Sequence, residues 1–429
     1  MTFTTRVVQL DLDIMCDSGT YDKDEFKEYV QKRIQGLGVT TVYIQVASEN
    51  EETLKTDQNK MADSLLFDPG KELKAEVLCA TALKYAIDII YAIDPTIEIL
   101  AWAPSLYCRF LLQDDNPAIE SFDENDPLWY KRASPFTDKT KDLLTKFFTA
   151  LGKVSPHLRG LMFQDDVLMA DNEDKSTPAR DYIKKTFGIR ADNDNVLKNF
   201  VEGVDSKKQR AWRRAKVKIL DDITLMCYDA FKAGYKVAYP NAYKKRLADP
   251  TKKFMVGRDY YDGAVFGRED DTGEWNGQDI DTGLDLYDHV VVMAYYNMVN
   301  GNFLDPRFWL DELASKAIRL ANSNNRNRAG KIIFKLQSVY WSGPEITKAA
   351  KIVQDDSDEE DEPYCEATDL IYQATVLLEA GATCLGVYPA LQEKAVFNLE
   401  TLDENDVPDW DDDDEEEDDD EDSDDDSDE

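Results

Sequence analysis

Five acidic residues crowd the stretch FQDDVLMADNED, residues 163–174: Asp165, Asp166, Asp171, Glu173 and Asp174. Such a cluster suits acid–base hydrolysis, because like charges held together raise one pKa and keep one carboxyl protonated for a leaving group. Side chains alternate along a strand, so Asp165 and Asp166 point apart unless the strand has ended before them. The second carboxylate of a pair is then expected from Asp171, or from Asp11 or Asp13 in the segment RVVQLDLD. The catalytic candidates are Asp165, Asp166 and Asp171. A cation site and a plain acidic loop are the competing readings.

In RVVQLDLD the residues Gln9, Asp11 and Asp13 share one face of a strand, while Val8, Leu10 and Leu12 share the other. Polar or aromatic residues also end the other apolar runs: Gln45, Trp102, Tyr239 with Asn241, Tyr295, Gln337 and Tyr388, with Tyr107 just beyond Trp102. Any one of these is unremarkable as a core or rim residue. Together with Asp11 and Asp13 they make a substrate-binding set suited to sugars, since aromatic faces stack on pyranose CH groups and amides and hydroxyls bond sugar hydroxyls. Only His157 and His289 are present, which leaves a zinc site or a histidine relay little material. No GxxxxGK[ST] loop and no GxGxxG after a strand is found, so nucleotide binding has no support. Neither a metal nor a cofactor is expected.

These residues need a scaffold that gathers strand ends. Short β-branched runs at about 6–12, 41–47, 97–103, 159–164, 236–240, 289–295, 331–337 and 384–388 alternate with segments of helical period. Residues 22–37 place Phe26, Tyr29, Val30, Ile34 and Leu37 on one stripe behind a capping Asp22. Residues 138–151 and 366–380 repeat the pattern, each ending at a glycine. Eight strands with helical crossovers predict an α/β fold, a (β/α)₈ TIM-type barrel over residues 1–402. The long connections 104–136 and 165–210 both leave C-terminal strand ends, where barrels build their sites. Residues 403–429 read as a disordered acidic tail.

The formal charge is −37, of which residues 411–429, with 17 acidic residues and two serines, carry −17 and the rest −20. An acidic surface repels nucleic-acid phosphates and anionic lipids and attracts polycations, so the expected partner is a cationic or neutral polysaccharide, with no nucleic acid and no membrane insertion. Nothing points to a particular protein partner. Six cysteines lie scattered without CxxC spacing, predicting free buried thiols and a reducing compartment. The amino terminus lacks a basic segment followed by a long apolar run, and no stretch approaches the roughly 18 apolar residues of a membrane span. The cytoplasm is the default expectation, with a phage particle as the other context.

The stretches RVVQLDLD, GVTTVYIQVAS, EILAWAPSL, SPFTDKTKDLLTKFF, RGLMFQDDVLMADNED, YDHVVVMAYYN, IIFKLQSVYW and GVYPALQ, in this order, resemble the C-terminal glycoside hydrolase domain of the bacterial poly-β-1,6-N-acetylglucosamine deacetylase/hydrolases. The resemblance implies a (β/α)₈ barrel hydrolysing a partially deacetylated, ammonium-bearing glycan, with acid catalysis carried by Asp165 and Asp166 and with Asp171 following. Where that family has histidine before the aspartate pair, this chain has Gln164, which does not titrate near neutral pH. A catalytically silent glycan-binding or virion protein on the same barrel is therefore the alternative. The deacetylase half is missing and two histidines do not supply its metal site, so no N-deacetylase activity is expected.

Overall fold

The structure, a computed structural model, describes residues 2–16, 19–49, 61–122, 131–203, 206–267, 275–296, 306–338, 367–388 and 394–397. The expected tail from residue 403 lies outside the described residues.

Eight strands close into a parallel barrel: β1 (Thr5–Leu10), β2 (Thr41–Gln45), β3 (Glu98–Ala103), β4 (Leu158–Phe163), β5 (Met255–Tyr260), β6 (His289–Met293), β7 (Ile332–Gln337) and β8 (Cys384–Tyr388). Each pairs with its neighbours in chain order, and β1 closes the ring by pairing with both β2 and β8. The chain thus forms the (β/α)₈ barrel that the alternating pattern predicts. Val7, Tyr43, Leu100, Met162, Met255, Val291, Ile333 and Cys384, one from each strand, fill the lower interior as an apolar plug. Moving two residues along β1, β2, β3 and β7 replaces that plug with Gln9, Gln45, Trp102 and Lys335, so this part of the interior turns polar toward the C-terminal rim.

The crossover helices pack their apolar stripes on the outer faces of the strands. The first, α1 (Lys23–Lys32), is capped by Asp22, whose carboxylate accepts from the Asp24 and Glu25 amides, and it buries Phe26, Tyr29 and Val30. Next come α2 (Ala82–Ile93) and α3 (Asp138–Leu151); α3 buries Leu144, Phe147, Phe148 and Leu151. The long β4–β5 connection carries α4 (Thr177–Phe187), α5 (Asp194–Glu202), α6 (Lys207–Ala238) and α7 (Pro240–Ala248), while α8 (Pro306–Ala321) lies between β6 and β7 and α9 (Ala367–Glu379) between β7 and β8.

One expected strand is not a strand. The run KVAYP, residues 236–240, ends α6, a 32-residue helix opened by a Ser206–Gln209 capping box, and Pro240 starts α7. Its β-branched and aromatic residues continue a 3.6-residue period that buries Leu220, Ile223, Cys227, Phe231 and Tyr235, and that period outweighs local strand preference. The fifth strand is instead MVGRDY, whose two charged residues disguise it although all six positions are buried. Cys79, Cys108, Cys227 and Cys384 are buried free thiols and Cys16 is half-buried and free. Among the described residues no helix is long and apolar enough to cross a membrane.

Candidate active site

Strand β5 organises the floor of the site. Alternation sends its two charges in opposite directions: Arg258 points outward, donating to Asp221 of α6 at 2.8 Å, and Asp259 points into the barrel. There the Asp259 carboxylate accepts from the Lys335 ammonium at 2.9 Å and from the Trp102 indole N–H at 3.3 Å. Lys335 is ringed by aromatics, its Nζ lying 5.9, 5.7 and 5.6 Å from the ring centres of Trp102, Tyr295 and Tyr388. Burial raises the Asp259 pKa, and Lys335 opposes the rise. Burial alone would lower the Lys335 pKa, but Asp259 and Tyr295 hold it above its ordinary value.

Asp165 stands at the rim, two residues past the end of β4, and is half-buried. The Tyr261 hydroxyl, just past β5, donates to it at 2.9 Å. Asp259, Lys335 and Tyr295 lie beneath it within electrostatic reach. A half-open carboxylate above an aromatic floor has the reach to act on a bound ring.

Asp166 points the other way and has no exposed surface. It accepts from the Ser105 hydroxyl at 2.9 Å and from the amides of Ser105, Leu106 and Tyr107 at 3.1, 2.6 and 3.3 Å, latching the loop that follows β3. Burial pushes its carboxyl up to about 7 against the pull of these donors. The strand has ended at Phe163, the one condition under which the pair could share a target, yet the two aspartates still diverge.

The remaining acids of the cluster fasten the two long rim connections. Asp171 is paired with Arg213 at 2.6 Å and Lys216 at 3.4 Å, two α6 cations whose side chains are fully buried. Glu173 takes Arg132 at 2.7 Å, and Asp174 accepts from the Glu120 and Ser176 amides at 3.0 and 2.7 Å and from the Ser176 hydroxyl at 2.8 Å. Burial raises Asp174 to about 6.

The expected binding residues do not all gather in one place. Trp102, Tyr295 and Tyr388 gather round Lys335, and Gln337 follows Lys335 on the same inward face of β7. Asp11 accepts from the Gln9 amide at 3.3 Å beside this floor. Asp13 and Gln45 bond each other at 3.0 Å, Ser48 adds a 2.8 Å bond to Asp13, and the Gln45 carbonyl also holds the Leu12 amide at 2.7 Å. This pair shapes the β1 loop. Tyr107 is buried and donates to Gln164, so both lie beneath the rim. Tyr239 and Asn241 are a correction: they sit at the α6–α7 junction, where the Tyr239 hydroxyl bonds the Lys153 carbonyl ahead of β4, at the N-terminal end of the barrel and away from the rim. Their assignment fell with the strand on which it rested.

Asp259, Lys335 and Tyr261 were not singled out from the sequence. The readable signal was a lone lysine amid IIFKLQ and an aspartate amid MVGRDY, charges that a barrel interior tolerates only as a pair. Among the described residues no three His, Cys, Asp or Glu side chains converge to hold a metal ion.

Comparison with known proteins agrees with this architecture. Residues 9–357 match the family described as hypothetical glycosyl hydrolase family 13. The poly-β-1,6-N-acetyl-D-glucosamine N-deacetylase of Escherichia coli is 25% identical over 225 residues, 51% of this chain and 30% of that protein. The chain thus matches less than a third of that relative's length. The PgaB (BpsB) glycoside hydrolase domain from Bordetella bronchiseptica superposes with a TM-score of 0.67 at 21% identity, over 90% of this chain and 94% of that domain. A GH42 β-galactosidase from G. stearothermophilus shares the fold at a TM-score of 0.50 and 11% identity, over 90% of this chain and 51% of that one.

Proposed function

The chain belongs to the family described as hypothetical glycosyl hydrolase family 13, and from that premise we propose that it cleaves partially deacetylated poly-β-1,6-N-acetylglucosamine or a closely related glycan, with Asp165 donating a proton to the glycosidic oxygen. The observation that carries this reading is the half-buried Asp165, held by Tyr261 above a floor of Trp102, Tyr295 and Tyr388. Sugar rings stack on the aromatic faces and present the linking oxygen to the carboxyl. Asp166 and Asp171 act as positioning residues, the first holding residues 105–107 and the second tying its loop to α6. A relative named as an N-deacetylase of this polymer supports the substrate, and a similar structure named as a glycoside hydrolase domain supports the reaction. So does the charge of the body, −20 outside residues 411–429, because a deacetylated glycan carries ammonium groups and nucleic acid does not.

One observation favours the silent, glycan-binding reading: Gln164, which does not titrate, is buried and bonded by Tyr107 where the resemblance expects histidine. Incubation with fully acetylated and partially deacetylated polymer, followed by mass spectrometry, separates the two. Shortened chains support hydrolysis, preferentially of the deacetylated polymer. Bound but intact glycan supports the silent barrel.

A further inference from the structure

One stretch near the N-terminal end of this acidic barrel is basic. Residues 232–253, spanning the end of α6, all of α7 and the turn before β5, hold seven basic residues and one acidic one, a net +6 in a chain of −37. Lys236, Lys244 and Lys245 are exposed, and Lys153 joins them through the Tyr239–Lys153 contact. Among the described residues none of these four has a carboxylate within ion-pair distance, whereas Lys232, Lys252 and Lys253 are matched by Asp229, Asp249 and Asp288. Val237 and Leu247 stand among them with 74% and 66% of their surface exposed. Unmatched cations interleaved with open apolar side chains make a surface for a polyanion rather than a solvated face.

We propose that this surface binds the chain's own acidic segment, residues 403–429, as an intramolecular electrostatic clasp. That segment supplies the complementary charge, 17 acidic residues between 411 and 429, with Val407, Pro408 and Trp410 ahead of them to meet Val237 and Leu247. Reach is sufficient. The last described helical turn, Lys394–Phe397, packs Val396 and Phe397 into the body, and 32 residues follow it. A chain of that length spans about 30 Å as a coil and about 100 Å extended, against a barrel roughly 50 Å across. Tethering also gives the segment an effective concentration in the millimolar range, which weak, salt-sensitive charge pairing needs in order to be populated.

Lysine acetylation read by mass spectrometry tests this on the full chain and on a variant lacking residues 403–429, each at about 20 mM and 500 mM salt. The clasp predicts that Lys236, Lys244 and Lys245 react at least three-fold more slowly in the full chain at low salt, and that deletion or high salt abolishes the difference, while Lys27 on α1 is unaffected. Equal rates in both proteins at low salt would overturn it. So would protection that grows with protein concentration, since that marks a second copy as the occupant. Charge reversal by K236E, K244E and K245E together should release the segment to proteolysis in the otherwise intact chain; an unchanged cleavage rate also counts against the clasp.

Discussion

Asp259 and Lys335 form a 2.9 Å ion pair on the floor of the barrel, with 1% and 3% of their side chains exposed. Ions so far from water are tolerated only together, because removing one leaves the other uncompensated. Asp259→Leu and Lys335→Met should therefore each lower the free energy of unfolding by about 3–5 kcal/mol, whereas the two replacements together should recover a good part of the loss. Denaturant unfolding of the four proteins measures this, and additive single effects would contradict the pairing.

Asp166 makes stability depend on pH with an unusual sign. Its folded pKa of about 7 lies above its ordinary value of 3.8, so the fold favours the protonated form. That contribution is complete below about pH 4, is lost as pH rises through 7, and totals up to about 4 kcal/mol at 1.36 kcal/mol per unit. Asp174, raised to about 6 by burial, adds a smaller loss over pH 4–6. Unfolding free energies at pH 5 and pH 7.5 should fall more steeply for the wild type than for Asp166→Asn, and parallel slopes would refute the assignment.

Asp171 is expected to matter for folding and little for turnover. Two fully buried cations, Arg213 and Lys216, converge on it. Asp171→Ala should cost about 3 kcal/mol and several degrees of Tm while the protein that remains folded keeps kcat within about three-fold. A hundred-fold fall in kcat with unchanged Tm would return Asp171 to the catalytic group.

The architecture was legible because strands and crossover helices differ in period: seven strands and the helices over 138–151 and 366–380 lie where alternation and apolar stripes put them. The fifth strand was hidden because MVGRDY carries Arg258 and Asp259, each made acceptable by a partner distant in sequence, Asp221 and Lys335. The acidic cluster at 163–174 was legible as a site but not in its division of labour. Asp165, Asp166, Asp171, Glu173 and Asp174 look alike in sequence, and only their partners separate a rim carboxylate from four fasteners.

The central claim is that Asp165 carries the cleavage. Wild type and Asp165→Asn should be compared on partially deacetylated poly-β-1,6-N-acetylglucosamine, with folding checked by Tm and glycan binding by calorimetry. The account predicts released oligosaccharides from the wild type, at least a thousand-fold slower release from the variant, and similar binding by both. Undiminished release by Asp165→Asn, or no release by a wild type that binds the polymer, would contradict it.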